Sequence, residues 1–287
     1  MHQMQVAGAE KLVESIVEHL RGEVTPAIYC LDRIGELGED LTAKGIRVVS
    51  LDRRPGLDLS VARRLATEIR RDSIQVIHAH QYTPFFYAAL ARLIGRGGFR
   101  IIFTEHGRHF PDIVSWRRRW INRLLLAGQA AEVNACSVFS CRALVALDGF
   151  GGRAPQVIRN GVAASRYRCE LDRALACRQL GLRVDRRYVS AIARFHPVKD
   201  HRTLVQGFAV VARQLDDTDL LLAGGGALQG EIEALAGELG CRERVRFLGV
   251  LEDVRPVLWV SDVFCLTSLS EAASLTILEA MASGLPV

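Results

Sequence analysis

Short apolar runs alternate with stretches of helical period along the whole chain, and that alternation leaves few folds open to it. Helical period over residues 9–20, 37–44, 59–71 and 84–94 is interleaved with strand-like runs at 24–31, 46–51, 74–80 and 99–104. A strand near 132–136 and a short one at 156–158 follow, each preceded by a helix. After a polar stretch at 163–187 a second series opens. Its strands are 188–193, 219–223, 245–248 and 263–266, and its helices 203–214, 228–239 and 254–260. Alternation of this kind predicts parallel sheets covered by helices on both faces, an α/β doubly wound architecture. In such sheets ligands bind beyond the carboxyl ends of the strands. His80, His106, Arg194, Gly224 and Glu271 are all expected there.

At 287 residues the chain has room for two cores. Two domains are expected, 1–165 and 187–287, joined by an inter-domain segment at 166–186. Both ends read as cut. A helix opens at Val6-Ala7-Gly8-Ala9-Glu10 with no strand before it, and Pro286-Val287 begins what should be another strand. The first strand of one domain and the C-terminal part of the other are therefore expected to be missing.

Composition narrows the class. No apolar run reaches the length of a membrane span, and no signal segment is legible. Seven cysteines are scattered without a C-x2-C pair, and Cys30, Cys136 and Cys265 read as core residues in a reduced, cytoplasmic protein. The net charge of +5 is too diffuse for nucleic acid, which calls for a basic face with stacking aromatics. The one dense cluster runs from Trp116 through Arg117, Arg118 and Arg119 to Trp120. It suits either peripheral contact with an anionic membrane or a surface helix whose apolar face packs on a core.

The chemistry gathers late in the chain. Nearly every basic residue is arginine, so Lys199, five positions after Arg194 at a strand end, is conspicuous. A movable ammonium beside a planar guanidinium suits a diphosphate. Glu271 and Glu279 stand eight positions apart, about 80° beyond two whole helical turns, so one helix would align them poorly. Glu271 is placed in a loop and Glu279 inside a helix capped by Ser274, whose start offers free amides to an anion. Gly8 and the run Gly224-Gly225-Gly226 follow the same logic of backbone access, equally open to simple turns, and Gly249 joins them past the strand 245–248. His80, at a strand tip, is a binding candidate, while His78 is expected to be packed on the opposite face. His106 is placed as a hydrogen-bond donor or acid–base group. Asp217 and Asp219 precede their apolar run and read as a turn into a strand, and zinc-ligand spacing is absent.

Together these segments resemble glycosyltransferase family 4, retaining enzymes of the GT-B architecture with two Rossmann-like domains. The likeness rests on Val6-Ala7-Gly8-Ala9-Glu10, Thr104-Glu105-His106-Gly107, Asn160-Gly161-Val162, Ala193-Arg194 with Lys199-Asp200, and the block from Ser270 to Val287. It implies that Arg194 and Lys199 hold the diphosphate of a nucleotide sugar, that Glu271 meets sugar hydroxyls and Glu279 the ribose, and that His106 approaches the reactive carbon. Gly8, Ser274, Leu275 and Thr276 would give amides to the phosphates, with no metal or cofactor. The acceptor would be a sugar or a lipid-linked sugar, in polysaccharide or glycolipid synthesis. Ala272-Ala273 stand where the family often has glycine and a bulky residue. Two rivals share the fold: a sugar-nucleotide epimerase, which should show paired carboxylates, and a non-catalytic binding or scaffold protein.

Overall fold

The computed structural model describes residues 1–107, 114–152, 154–168 and 171–287. It divides into two compact units, Met1–Asn160 and Gly161–Val287. In the first unit, strands β1 (Ala27–Cys30) and β2 (Arg47–Ser50) pair in parallel. Strands β3 (Val76–His80), β4 (Arg100–Glu105), β5 (Glu132–Ala135) and β6 (Gln156–Val157) form a second parallel sheet in that order. Helices α1 (Gly8–His19), α2 (Glu36–Ala43), α3 (Ser60–Arg71), α4 (Tyr82–Gly95), α5 (Trp116–Ile121) and α6 (Val138–Asp148) connect them.

Amphipathic spacing explains α3. Val61, Ala62, Leu65, Ala66 and Ile69 are buried, while Arg63, Arg64, Arg70 and Arg71 lie outside. The buried side packs into one core with Phe85, Ile101, Phe103, Leu144 and Phe150. Residues 1–4, where no strand was expected, lie along the end of β1. Leu31 donates to the Met1 carbonyl (3.0 Å), Asp32 to His2 (2.9 Å) and Met4 to Ile34 (2.9 Å).

The second unit holds α7 (Ala164–Tyr167), α8 (Arg173–Gln179), β7 (Arg187–Ile192), α9 (His201–Gln214), β8 (Thr218–Ala223), α10 (Gln229–Glu238), β9 (Val245–Gly249), α11 (Arg255–Val260), β10 (Val263–Phe264) and α12 (Leu275–Ala282). All six residues of β8 are buried, as a strand covered on both faces requires. Its alternation divides the core. Leu220 and Leu222 pack with Leu204, Val205, Phe208 and Ile232 from α9 and α10. Leu221 and Ala223 pack with Ala176, Val257, Leu258 and Ala280 from α8, α11 and α12. Each leucine so buried stabilises the fold by about 1.5–3 kcal/mol. The 166–186 stretch, expected as an inter-domain segment, thus contributes to the second core through Ala176 and Cys177.

Strand order is β10-β7-β8-β9, all parallel. The chain moves outward from β7 to β9 and returns to β10 on the other side of β7. A switch point therefore lies between β7 and β10, the crevice where such sheets take ligands. Phe264 donates to the Pro286 carbonyl at 2.9 Å, so the last residues begin to line β10. Six cysteines are free, five of them buried, and Cys169 lies outside the described residues. Among the described residues no helix is long and apolar enough to cross a membrane.

Candidate functional site

The turn after β7 is built by close backbone contact. Phe195 donates to the Gly225 carbonyl at 2.9 Å and Gly224 to the Gly249 carbonyl at 2.7 Å. Gly224 (φ +140°) and Gly226 (φ +150°) take conformations that side chains avoid, and a Cβ on either would run into the carbonyl of Ala193 or Phe195. The freedom of this glycine run is thus used by the chain itself, to seat the turn that carries Arg194. The carbonyls of Gly225 and Gly249 are both taken up there. Arg194 is exposed, and its guanidinium has no partner among the described residues.

Lys199 closes the next turn, Pro197–Lys199. Asp200 follows at φ +45°, a left-handed position costing a non-glycine residue roughly 1–2 kcal/mol. Its carboxylate offsets that cost by capping α9, accepting the Thr203 amide at 3.2 Å and hydroxyl at 2.7 Å. From across the switch point, Thr267 donates its hydroxyl to the Asp200 carbonyl (2.8 Å) and Leu269 its amide to Val198 (2.8 Å). These bonds fasten the β10 loop to the β7 turn, and the Lys199 ammonium meets the Glu271 carboxylate as an ion pair.

Glu271 lies in the loop and Glu279 inside α12, as their angular offset required. Ser274 caps the helix, its hydroxyl accepting the Ile277 amide at 3.5 Å. The amides of Leu275 and Thr276 find no acceptor among the described residues. Glu279 accepts the Tyr167 hydroxyl at 2.9 Å, and the Tyr167 carbonyl accepts the Trp259 indole N–H at 3.0 Å. Burial and the adjacent carboxylate push the Tyr167 phenol up, so it stays protonated and donating. Lys199, Glu271 and the start of α12 thus belong to one edge of this sheet, with Arg194 at the end of β7.

In the first unit, His80 ends β3 and His106 follows β4. Nδ1 of His80 is 2.7 Å from Nε2 of His106. Expectation fails for His78: residues two apart on a strand share a face. Its ring centroid lies 4.0 Å from that of His80, and its Nε2 lies 2.7 Å from the Thr104 hydroxyl, which donates to Asn134 at 2.6 Å. Burial holds His106 down at about 4 and His80 well below the usual imidazole range. Gln81, next to His80, has a positive φ of 72°, a strained conformation of the kind that gathers at sites. Gly8 opens α1 after Ala7, with no side-chain cap to occupy the first amides.

Other candidates resolve differently. Asp217 pairs with Arg187 at 2.6 Å, and Asp219 with Arg186 and Arg244, all at the amino end of β8 away from the ligand edge. Tyr167 escaped sequence reasoning, since nothing local marks a partner 112 residues away from Glu279. Around α5, Arg118 pairs with buried Asp148 and stacks over Tyr82, which ties that face to the core. The other face is open: Trp116 is 68% exposed, Trp120 52% and Leu124 76%.

Comparison with known proteins bears on the family and the fold. The sequence profile described as Glycosyltransferase Family 4 matches residues 6–166, and that described as Glycosyl transferases group 1 matches residues 186–287. The N-acetyl-alpha-D-glucosaminyl L-malate synthase of Bacillus anthracis is 29% identical over 238 residues, covering 81% of this chain and 60% of its own length. A D-inositol 3-phosphate glycosyltransferase of Nocardia farcinica is 33% identical over 186 residues, covering 62% of this chain and 40% of its own. This chain therefore spans about three fifths of the curated relatives that match most of it. In fold it is similar to Anabaena HepE, crystallised with UDP and glucose, with a TM-score of 0.81 and 23% identity over all of this chain and 80% of that one. A Rickettsia africae glycosyltransferase gives a TM-score of 0.80 at 18% identity, covering 99% of this chain and 76% of that one. The fold is that of the GT-B enzymes, and the chain belongs to glycosyltransferase family 4.

Proposed function

We propose that this chain is the core of a retaining transferase that moves a glycosyl group from a nucleoside diphosphate sugar to an acceptor hydroxyl. The observation that carries the reading is the pairing of Lys199 with Glu271 across the β7/β10 switch point, with the Arg194 guanidinium exposed at the end of β7. As the bond from the anomeric carbon to the diphosphate breaks, negative charge builds on the departing phosphate. Charge-assisted contacts from Lys199 and Arg194 are strongest at that moment and lower the barrier. The acceptor oxygen takes the vacated bond, and its proton passes to the leaving diphosphate. Glu271, released by Lys199, accepts sugar hydroxyls, and Glu279 the ribose. The amides at the start of α12 add phosphate contacts without a metal. The second unit takes the donor and the first the acceptor.

UDP-linked sugars are the first donors to test, since the HepE structures hold UDP, UDP and glucose, or UDP-glucose. GDP-linked sugars come next. In the protein carrying this chain, release of free nucleotide from one member of such a panel, abolished by Lys199→Ala and insensitive to a chelator, is the expected result. Tight donor binding with neither hydrolysis nor transfer would instead make it a non-catalytic binding protein, and interconversion of the sugar without transfer an epimerase.

The open face of α5 supports an acceptor at a membrane surface. Trp116, Trp120 and Leu124 form an exposed apolar stripe beside Arg117 and Arg123, which stack on the two indoles. Such a stripe enters the headgroup layer while the arginines meet anionic lipid. Cosedimentation with phosphatidylglycerol vesicles, lost on replacing both tryptophans by alanine, tests this peripheral contact at the cytoplasmic face.

A further inference from the structure

A cavity opens at the amino ends of β3 and β4, the opposite ends of these strands from His80 and His106. It holds about 310 Å³, at the lower end of the roughly 300–1,000 Å³ that small-molecule sites occupy. Ala66 and Ile69 of α3, Ala91 of α4, Ile74 and Phe99 give it an apolar lining. All of them belong to the first unit. A Cβ on Gly97 would come within 2.5 Å of Cε1 of Phe99, so bare backbone at 97 is what lets that ring keep its place in the wall.

The mouth is polar and basic. Arg70, Ser73, Gln75 and Gly98, which also line the cavity, are exposed. The Arg70 guanidinium has no partner among the described residues, and it lies over Gly95, where an added Cβ would be 3.8 Å from its Nη1. No Asp or Glu lines the cavity. The carboxylates nearest Arg70 in the chain, Glu68 and Asp72, are held by Arg47 at 2.5 and 2.7 Å. Arg96 and Arg100, each next to a lining residue, are exposed and add charge without a partner among the described residues.

Unpaired positive charge over an apolar interior selects one kind of ligand. An apolar tail leaves water for the alanine, isoleucine and phenylalanine surface. A planar guanidinium grips a carboxylate through two parallel N–H bonds. A cation would be repelled at the mouth, and an alcohol would leave the guanidinium without a counter-charge. We propose that this cavity is a binding site for a free medium-chain carboxylate, with its tail on the α3 and α4 wall and its head on Arg70. The site lies within the first unit and does not rest on the transferase reading.

Calorimetric titration of the intact protein with octanoate tests it. Octanoate should bind roughly tenfold or more tighter than acetate, which lacks the tail, and than octanol, which lacks the charge. Arg70→Gln should weaken octanoate by about tenfold or more and leave octanol unchanged. Arg70 is exposed, so this variant should keep the wild-type melting temperature. Gly95→Leu sets a side chain between Ala66, 3.2 Å from the new Cβ, and the guanidinium, and should abolish binding of both compounds. If Gly95→Leu does not fold, Arg70→Gln decides. Absence of saturable octanoate binding, octanol bound as tightly as octanoate, or octanoate affinity unmoved by Arg70→Gln or by a folded Gly95→Leu overturns the proposal.

Discussion

Lys199 and Glu271 are 72 residues apart in sequence, yet their side chains meet as an ion pair between the turns that follow β7 and β10. They are 20% and 28% exposed, so solvent screens them and the pair adds less than about 1 kcal/mol to folding. A bond from an ammonium to a diphosphate is worth more, roughly 1.5–3 kcal/mol. Lys199→Met is therefore expected to leave the melting temperature nearly unchanged while kcat/KM for the nucleotide sugar falls about 10- to 150-fold. Thermal melts and donor kinetics on the same preparation check it. A large loss of stability with activity intact would make the pair a structural bond only.

Gly224 makes the opposite kind of prediction. Its φ of +140° and its contact with the Ala193 carbonyl leave no room for a Cβ. Gly224→Ala should destabilise by about 1–3 kcal/mol and displace the turn bearing Arg194, weakening donor binding as well. Gly230, in helix α10 with nothing within 4 Å of an added Cβ, is the control. Gly230→Ala should stabilise by roughly 0.5–1 kcal/mol, because glycine is the poorer helix former. Urea midpoints separate the two results.

These cases show where the sequence was informative. Alternation was legible because a strand such as β8, buried on both faces, carries an apolar run, here Leu220 to Ala223, while its flanking helices must be amphipathic. Glu271 in a loop and Glu279 in a helix followed from helical geometry, and the Ser274 cap from its side-chain chemistry. Partners from distant strands were not legible. Nothing near Tyr167 announces Glu279, and nothing near His80 announces His106, since sheet register brings them together only in the fold. The glycine run after β8 signalled a close approach, but what approaches is the neighbouring turn of the same chain. His78 was misplaced by a simple parity: alternate residues of a strand share a face.

Tyr167→Phe removes one oxygen and leaves the ring in place. The lost bond holds Glu279 at 2.9 Å, so the carboxylate should become less ordered while α12 stays folded. Donor KM is expected to rise about tenfold with kcat little changed, and stability to fall by roughly 1 kcal/mol. Competition by the free nucleoside diphosphate should weaken in parallel, because Glu279 is assigned to the ribose rather than the sugar. An unchanged nucleotide affinity would remove Tyr167 from the site.

The histidine cluster makes stability depend on pH in a stated direction. In the unfolded chain these imidazoles titrate near 6.5, while in the folded chain burial lowers His106 to about 4 and His80 further. Between those limits the unfolded chain binds protons that the folded chain refuses. Stability is thus full above pH 6.5 and falls as the pH drops towards 4, by about 1.4 kcal/mol per pH unit for each such histidine. His201, lowered by burial and by Lys199, adds to the same slope. Carboxylates held low by arginine, such as Asp72 beside Arg47, act only below their ordinary value of 3.8 and so fall outside this window. Urea denaturation from pH 7 to 4.5 should show the slope, and His106→Asn should flatten it by one histidine's share. A flat profile for the unaltered protein would mean that the cluster opens to solvent and takes up protons without unfolding.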